Sequence, residues 1–457
     1  MAMKQMRKTA WMWALLASTA MIGWAAPVRA DSLQEALAQA YSQNPSLAAA
    51  RAALRAADEK VSEAEAGRRP NLEANGSAGL SRTATEDPTS DNDMTPRSLG
   101  IQATQPIWRF GRIQSAIDTA ENSMKAQRAQ LDAQEQSLLL SAATTYLDVL
   151  RDQSVFDLAS NNEQVLERQL QASRDRFEVG EITRTDVSQS EARLARARSD
   201  RVESQGALFA SRAAYQRLVG SEPQNLSQPE LALAEINLDE AVQQAESANP
   251  NVQSAIMAVA AAQSQVEATQ SELLPDLSLT AGAQRSWETS MGVKGASDAA
   301  QVQMHMRVPL YQSGAEYARL RGAQQQANQK QMELDEARRA TREEAIRAFE
   351  ALRATRSSVD SRKSQVKAST LALEGVRQES EVGTRTVLDV LNAEQELLDA
   401  RTGLVRAEHD ATVAQLRLYA ATGRLNVATL SLPTAAYDPD PHYQNVRNRW
   451  IGWSISE

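Results

Sequence analysis

The chain has 457 residues, no cysteine, a formal net charge of −9, 42% hydrophobic residues and only 4% aromatics. The length allows two or three domains, but the scarcity of aromatics argues against a bulky compact core, and the wealth of Ala, Gln and charge suits long helices in bundles or coiled coils. An acidic chain is poorly matched to nucleic acid, and its three histidines, His305, His409 and His442, stand far apart with no cysteine, phosphate loop or nucleophile motif, which excludes an obvious metal site, cofactor or enzyme.

In chain order, Lys4, Arg7 and Lys8 precede an apolar stretch over about residues 11–26, and Val28 and Ala30 place small residues before Asp31. This pattern predicts a secretory signal peptide over residues 1–30, cleaved on export. The alternative, a retained anchor, needs a span of roughly 20 apolar residues, longer than this run. Loss of the four cations Lys4, Arg7, Lys8 and Arg29 takes the net charge from −9 to −13. The lack of cysteine is compatible with an oxidising periplasm and excludes a lipid on an N-terminal cysteine.

Beyond residue 30 the chain repeats itself. Leu33, Glu35, Ala36, Asn44, Pro45 and Pro70 return as Leu238, Glu240, Ala241, Asn249, Pro250 and Pro275, an offset of 205. Pro106, Gly111, Gly180, Asp186 and Gly220 return as Pro309, Gly314, Gly383, Asp389 and Gly423, an offset of 203, so a two-residue length change lies between Pro70 and Pro106. The predicted organisation is a first repeat over 31–223, a second over 224–432 and a polar, irregular C-terminal tail over 433–457.

Within each repeat, residues 46–69 and 251–274 are helical in composition and stop at Pro70 and Pro275. The period then switches to two. Leu72, Ala74, Ala78 and Leu80 alternate with Asn71, Glu73, Asn75 and Ser77, and after a polar loop Leu99, Ile101 and Ala103 alternate with Gln102 and Thr104. The second copy alternates Leu277, Leu279, Ala281 and Ala283 with Ser278, Thr280 and Gln284, then Val302, Met304, Met306 and Val308 with Gln303, His305 and Arg307. These spacings predict β-hairpins at about 71–107 and 276–310, each with one apolar face. A sheet on a soluble core would read the same way, but with an export signal the pattern favours membrane strands, lipid on one side and water on the other. Four strands cannot close a barrel, which needs about eight, so two or three chains would share one. Trp108 and its repeat partner Tyr311 come after the second strand of each pair, where interfacial aromatics or ordinary packing would place them.

Residues 113–177 and 315–380 contain no proline and predict helices reaching roughly 100 Å at about 1.5 Å per residue. Return helices over 185–219 and 386–422 end at Gly220 and Gly423. Being shorter, they need the 46–69 and 251–274 helices stacked on their ends to match the long ones. Between outgoing and return helices lie the tips, at about 178–186 and 381–389, where Val179-Gly180 and Val382-Gly383 make the turns.

Together the motifs "NPSLAAARAAL" with "NPNVQSAIMAV", "TQPIWRFGR" with "VPLYQSGAEY", "FEVGEITRTDV" with "SEVGTRTVLDVLNAEQELLDA", and "YQRLVG" with "LRLYAATGRL" resemble the TolC family of outer-membrane channel proteins over nearly the whole mature chain. The stretch "RFEVGEITRTDVSQSEARLARA" is most like the members that serve type I protein secretion. The resemblance implies a mainly α fold with a small β part. Tandem helical hairpins would form a periplasmic α-barrel, and four amphipathic strands per chain would enter a twelve-strand outer-membrane barrel shared by a homotrimer. It implies docking on an inner-membrane transporter, ABC or proton-driven, and a periplasmic adaptor, in a Gram-negative cell, with no cofactor. It also implies a periplasmic gate at the tips formed by Asp186, Arg385, Asp389 and Asn392. Asn392 stands where a second acid is common in the family, and Ser380 where a tyrosine is, which points to a less negative, less tightly latched gate. Arg385 would bridge to a neighbouring hairpin or, alternatively, pair with Asp389 at i and i+4. Export in a drug efflux pump is the alternative role, and a periplasmic adaptor with a helical hairpin is a further one.

Overall fold

The computed structural model describes residues 32–83, 92–229, 236–288 and 295–454, so the predicted signal peptide and the outer parts of both hairpin loops lie outside the described residues. The duplication is visible element by element. Helices α1 (Leu33–Gln43) and α5 (Leu238–Ala248) open the two repeats, each started by a capping box, Ser32 with Glu35 and Asn237 with Glu240. Helices α2 (Pro45–Ala66) and α6 (Pro250–Gln270) begin after a single intervening residue, with proline at the first helical position, where its missing N–H costs nothing.

The long helices α3 (Arg112–Glu178) and α7 (Ala315–Glu381) contain 67 residues each and start after Gly111 and Gly314, at φ 86° and 83°. Return helices α4 (Arg184–Val219) and α8 (Val387–Ala421) run back against them. Helix α2 packs on α3, and both α6 and α8 pack between α3 and α7. The result is four helical columns, two of them continuous and two spliced from a return helix and a shorter partner.

The splice is made by the Asn-Pro pairs. Asn44 accepts from the Ser46 N–H at 2.9 Å, capping α2, while its Nδ2 donates to the Leu218 carbonyl at 3.1 Å in the last turn of α4. Asn249 accepts from the Asn251 N–H at 2.9 Å, and its Nδ2 donates to the Ala421 carbonyl at 3.0 Å, at the end of α8. One side chain thus satisfies an orphan donor of one helix and an orphan acceptor of the next. The chain must also approach closely there: a Cβ on Gly423, at φ 74°, would sit 2.5 Å from the Ala248 carbonyl oxygen.

Around the first splice lies the largest core, in which Leu37, Leu139, Tyr146, Tyr215, Leu416 and Leu425 are at most 1% exposed. Each such side chain contributes roughly 1.5 to 3 kcal/mol by burial. The Tyr146 hydroxyl donates to the Ser227 carbonyl at 2.7 Å, so this aromatic is satisfied inside the core.

The strands are β1 (Asn71–Ala78), β2 (Ser81–Thr83), β3 (Asn92–Met94), β4 (Arg97–Trp108), β5 (Asp276–Trp287) and β6 (Ala296–Arg307). Four of them form an antiparallel sheet in the order β1-β4-β5-β6. Two readings of the sequence need correction here. The first strand ends at Ala78, leaving Leu80 outside it, and the chain beyond builds a separate two-stranded ribbon, β2 with β3, because Gly79 interrupts the alternation. The C-terminal segment is not an irregular tail throughout: α9 (Asp440–Arg447) forms there and packs on α2 with Val446 buried.

Candidate channel wall and entrance

Antiparallel register puts directly opposed residues on the same face, so the pairing tests the predicted amphipathic strands. Leu72, Ala103, Ala281 and Val302 align in one row across the sheet, and Ala74, Ile101, Ala283 and Ala300 in another. The intervening rows are polar: Asn71, Thr104, Thr280 and Gln303, then Glu73, Gln102, Gly282 and Gln301. His305 opposes Ser278 in the polar set. The apolar face carries Leu72, Ile101, Val302 and Met304 in the open, each more than half exposed. Such a sheet needs an apolar medium on one side and water on the other. Its edges, the outer sides of β1 and β6, have no strand partner among the described residues, and edges of this kind are satisfied by pairing with further strands. Trp108 is the last residue of β4 and packs edge-on against Phe110, with ring centroids 5.9 Å apart, whereas Tyr311, beyond β6, is largely exposed.

About one helix length away, the tips close each hairpin. Gly180 and Gly383 adopt φ 84° and 82°, the left-handed turn that a side chain would strain, and Val179 and Val382 are exposed beside them. Asp186 and Asp389 hold the same place in the two copies. Each closes a capping box: Asp186 Oδ2 accepts from the Thr183 N–H at 2.9 Å and hydroxyl at 2.7 Å, and Asp389 Oδ2 from those of Thr386 at 3.0 and 2.8 Å. These bonds favour the charged form, so both carboxyls are held below the usual aspartate pKa, by the Thr183 hydroxyl and N–H for Asp186 and by the Thr386 N–H and hydroxyl for Asp389.

Arg385 takes a partner that neither expectation named. Its Nε donates to Glu379 Oε2 at 2.8 Å, across the turn of its own hairpin, and this bond raises the guanidinium pKa further. The first copy reverses the charges there: Arg176 Nε donates to Glu181 at 3.0 Å. Asn392 does reach the other repeat, accepting from Arg193 Nη2 of α4 at 2.8 Å. Behind the tips, Leu166, Leu170, Leu194 and Ala197 of the first hairpin pack with Val387 and Leu391 of the second. Ser380 is buried in this region rather than standing at the surface.

Arg193, Glu379 and Glu181 were not anticipated. Nor were the pairs Arg174–Glu191, at 2.7 Å, and Arg377–Glu394, which clamp the outgoing helix to the return helix. The last two pairs were detectable, because both members recur at the repeat offset of 203. Among the described residues no group of carboxylate and histidine side chains could hold a metal ion, and no helix is long and apolar enough to cross a membrane.

The chain matches the outer membrane efflux protein family over residues 36–221 and 241–424. It is 34% identical over 440 residues to the outer membrane efflux protein BepC of Brucella suis, covering 96% of this chain and 95% of that one. Similarity at 26% over 373 residues extends to the alkaline protease secretion protein AprF of Pseudomonas aeruginosa, covering 76% and 73% of the two chains. The crystal structure of the Campylobacter jejuni outer membrane channel CmeC superposes with a TM-score of 0.78 at 15% identity, over 91% of this chain and 89% of that one, a likeness of fold.

Proposed function

The chain belongs to the outer membrane efflux protein family, and from that premise we propose that three copies assemble into one channel-tunnel that carries type I secretion cargo across the periplasm and the outer membrane. As a member of a channel family it is an outer-membrane protein and not an enzyme. The observation that carries a shared barrel is the four-stranded sheet with an apolar and a polar face and two edges without a strand partner among the described residues, standing on four helical columns. The number three is what the resemblance to the TolC family implies. Three such sheets joined edge to edge give twelve strands, above the minimum of about eight for a membrane barrel. The same joining sets twelve helical columns around one tunnel, and six tips at its inner end.

At those tips Asp186, Arg385, Asp389 and Asn392 form the periplasmic gate, and the exposed turns Val179-Gly180 and Val382-Gly383 meet an inner-membrane transporter and a periplasmic adaptor. Trp108 and Tyr311 sit at the lipid boundary. Secretion is favoured over drug efflux by the tip sequence of the first hairpin and by the likeness to AprF, whereas the likeness to BepC favours efflux. The deciding experiment is deletion of the gene, with the secreted proteins and drug sensitivity assayed side by side. Loss of a secreted protein with unchanged drug tolerance supports the proposal. The converse assigns the channel to a drug pump. Cross-linking of the purified protein that stops at dimers would overturn the trimer.

A further inference from the structure

The C-terminal segment ends in a knuckle at the foot of the sheet. Helix α9 climbs along α2, held by Arg128 to Asp440 at 2.6 Å, His442 Nδ1 to Asp58 at 2.8 Å and Arg447 to Glu121 at 3.1 Å. Where α2 gives way to β1, Arg69 donates from Nη1 to the Arg449 carbonyl at 2.6 Å and from Nη2 to the Arg447 carbonyl at 3.3 Å, and its guanidinium lies 5.1 Å from the centre of the Trp450 ring. Arg449 then folds back, donating to the Ser454 carbonyl and hydroxyl, both at 2.9 Å, across a turn in which Gly452 has φ 141°. A turn closed this way points its apolar side chains outward: Trp450 is 67% exposed, Ile451 91%, and Trp453 entirely.

Three large apolar groups in four positions, held in the open by the guanidinium hydrogen bonds of Arg69 and Arg449, are costly in water. Their height on the molecule says what covers them. Arg69 lies two residues before the first residue of β1, and the preceding Arg68 carbonyl accepts from Gln105 of β4 at 2.9 Å, three residues before Trp108. The knuckle is therefore level with the helix-side ends of β1 and β4. Rings flanked by guanidinium groups at that level match the headgroup region of a bilayer, where tryptophan combines an apolar body with a polar edge.

We propose that residues 450–453 form a membrane foot. Trp450, Ile451 and Trp453 seat in the periplasm-facing phospholipid leaflet of the outer membrane and fix the height of the barrel in the bilayer from outside it. The inference rests on the barrel lying in that membrane, and the test separates the two. Because the chain contains no cysteine, Trp453→Cys and Ile451→Cys each give one labelling site at an exposed position, and Met304→Cys gives one on the apolar face of the barrel. Each variant is labelled with a small fluorophore and reconstituted in phospholipid vesicles carrying spin labels near the headgroup or near the chain ends. A group seated about 5 to 10 Å into the headgroup and acyl boundary should be quenched about two-fold more by the shallow label than by the deep one. That result at 453 and 451, with lipid quenching at 304, supports the foot. Lipid quenching at 304 with only aqueous iodide quenching at 453 and 451 overturns it. So does protection of 453 and 451 from both quenchers, which would place a neighbouring chain over the knuckle. Absence of lipid quenching at all three sites overturns the barrel reading itself.

Discussion

Asn249→Ala tests whether the spliced column depends on one amide. The substitution removes the cap that accepts from the Asn251 N–H at 2.9 Å and the donor that serves the Ala421 carbonyl at 3.0 Å. Losing an N-cap costs about 1 kcal/mol. Leaving a buried carbonyl unpaired costs about 1 to 3 kcal/mol. Asn249 is 6% exposed, so water cannot easily replace either bond, and the expected loss is about 2 to 4 kcal/mol per chain. Asn249→Asp separates the two contributions. It keeps the acceptor for α6 but turns a carboxylate towards the Ala421 oxygen, and burial there raises its pKa. A folded pKa above the unfolded one means that the stability gained by protonation is present below the unfolded value and lost as pH rises through the folded value. The Asp variant should therefore regain stability on acidification, when its carboxyl can donate to Ala421, while the Ala variant should not. Urea denaturation of the detergent-solubilised protein, followed by helical circular dichroism at several pH values, measures both. If both variants stay within about 0.5 kcal/mol of the parent at neutral pH, the splice is held by packing alone and the Asn-Pro pairs do not make it.

The same geometry yields further outcomes. Leu279→Arg, in the row of Met304, should impair membrane insertion by roughly 2 to 4 kcal/mol near the midplane, whereas Thr280→Arg, in the polar row, should insert normally; equal damage at both would indicate a soluble sheet. Releasing the tip with Arg385→Ser, which removes the bond to Glu379, should raise single-channel conductance in planar bilayers, and Asp389→Ala should lower cation preference. Unchanged conductance and selectivity would take both residues out of the gate. The half-buried pair of His409 and Asp148, 2.9 Å apart between α8 and α3, gives a pH signature. Burial lowers the His409 pKa, but contacts with Asp148 and Asp410 outweigh it and the value is raised; burial raises that of Asp148, but His409 and Arg151 outweigh it and the value is lowered. The His409 contribution is thus present below about pH 6.5 and lost as pH rises through its folded pKa, and that of Asp148 is present above about pH 3.9 and lost as pH falls through its folded pKa. His409→Gln should cost on the order of 1 kcal/mol near pH 5.5, since Asp148 keeps 30% of its side chain exposed. Near pH 9 the cost should shrink, and thermal melting at the two values checks it.

Much of this architecture is legible in the sequence because repetition and periodicity are local signals. The long helices start and end within a residue or so of the proline-free runs, since Gly111, Gly314 and the capping residues Thr183 and Thr386 punctuate them. The alternation of Leu72, Ile101, Ala281 and Val302 foretells one apolar face, and the register then sets them side by side or one row apart. What escaped depends on tertiary context. Helix α9 has a sequence poor in apolar residues, and it folds against α2 and α3 through polar contacts to Asp58, Glu65 and Glu121 and through the buried Val446. The partner of Arg385 is six residues away across a turn, outside the i and i+4 rule that applies within a helix. The bond from Arg193 to Asn392 joins residues 199 apart, and nothing in either stretch announces it.

The equal length of α3 and α7, 67 residues each, makes them a pair of rulers. An inserted residue in an α-helix advances everything beyond it by about 1.5 Å and turns it by about 100°. One extra residue in α7 alone would carry Asn392, Val387 and Leu391 of the second hairpin out of step with Arg193 and the first hairpin. The two copies differ in length only between Pro70 and Pro106, in the segment that carries β1, the short ribbon and most of β4, where a loop can take up two residues without turning anything else. Length is free at the outward end of the molecule and fixed at the inward end. Fusions, tags and inserted peptides should accordingly be accepted in the hairpin loops, while even a one-residue change in either long helix puts the two tips of the chain out of register.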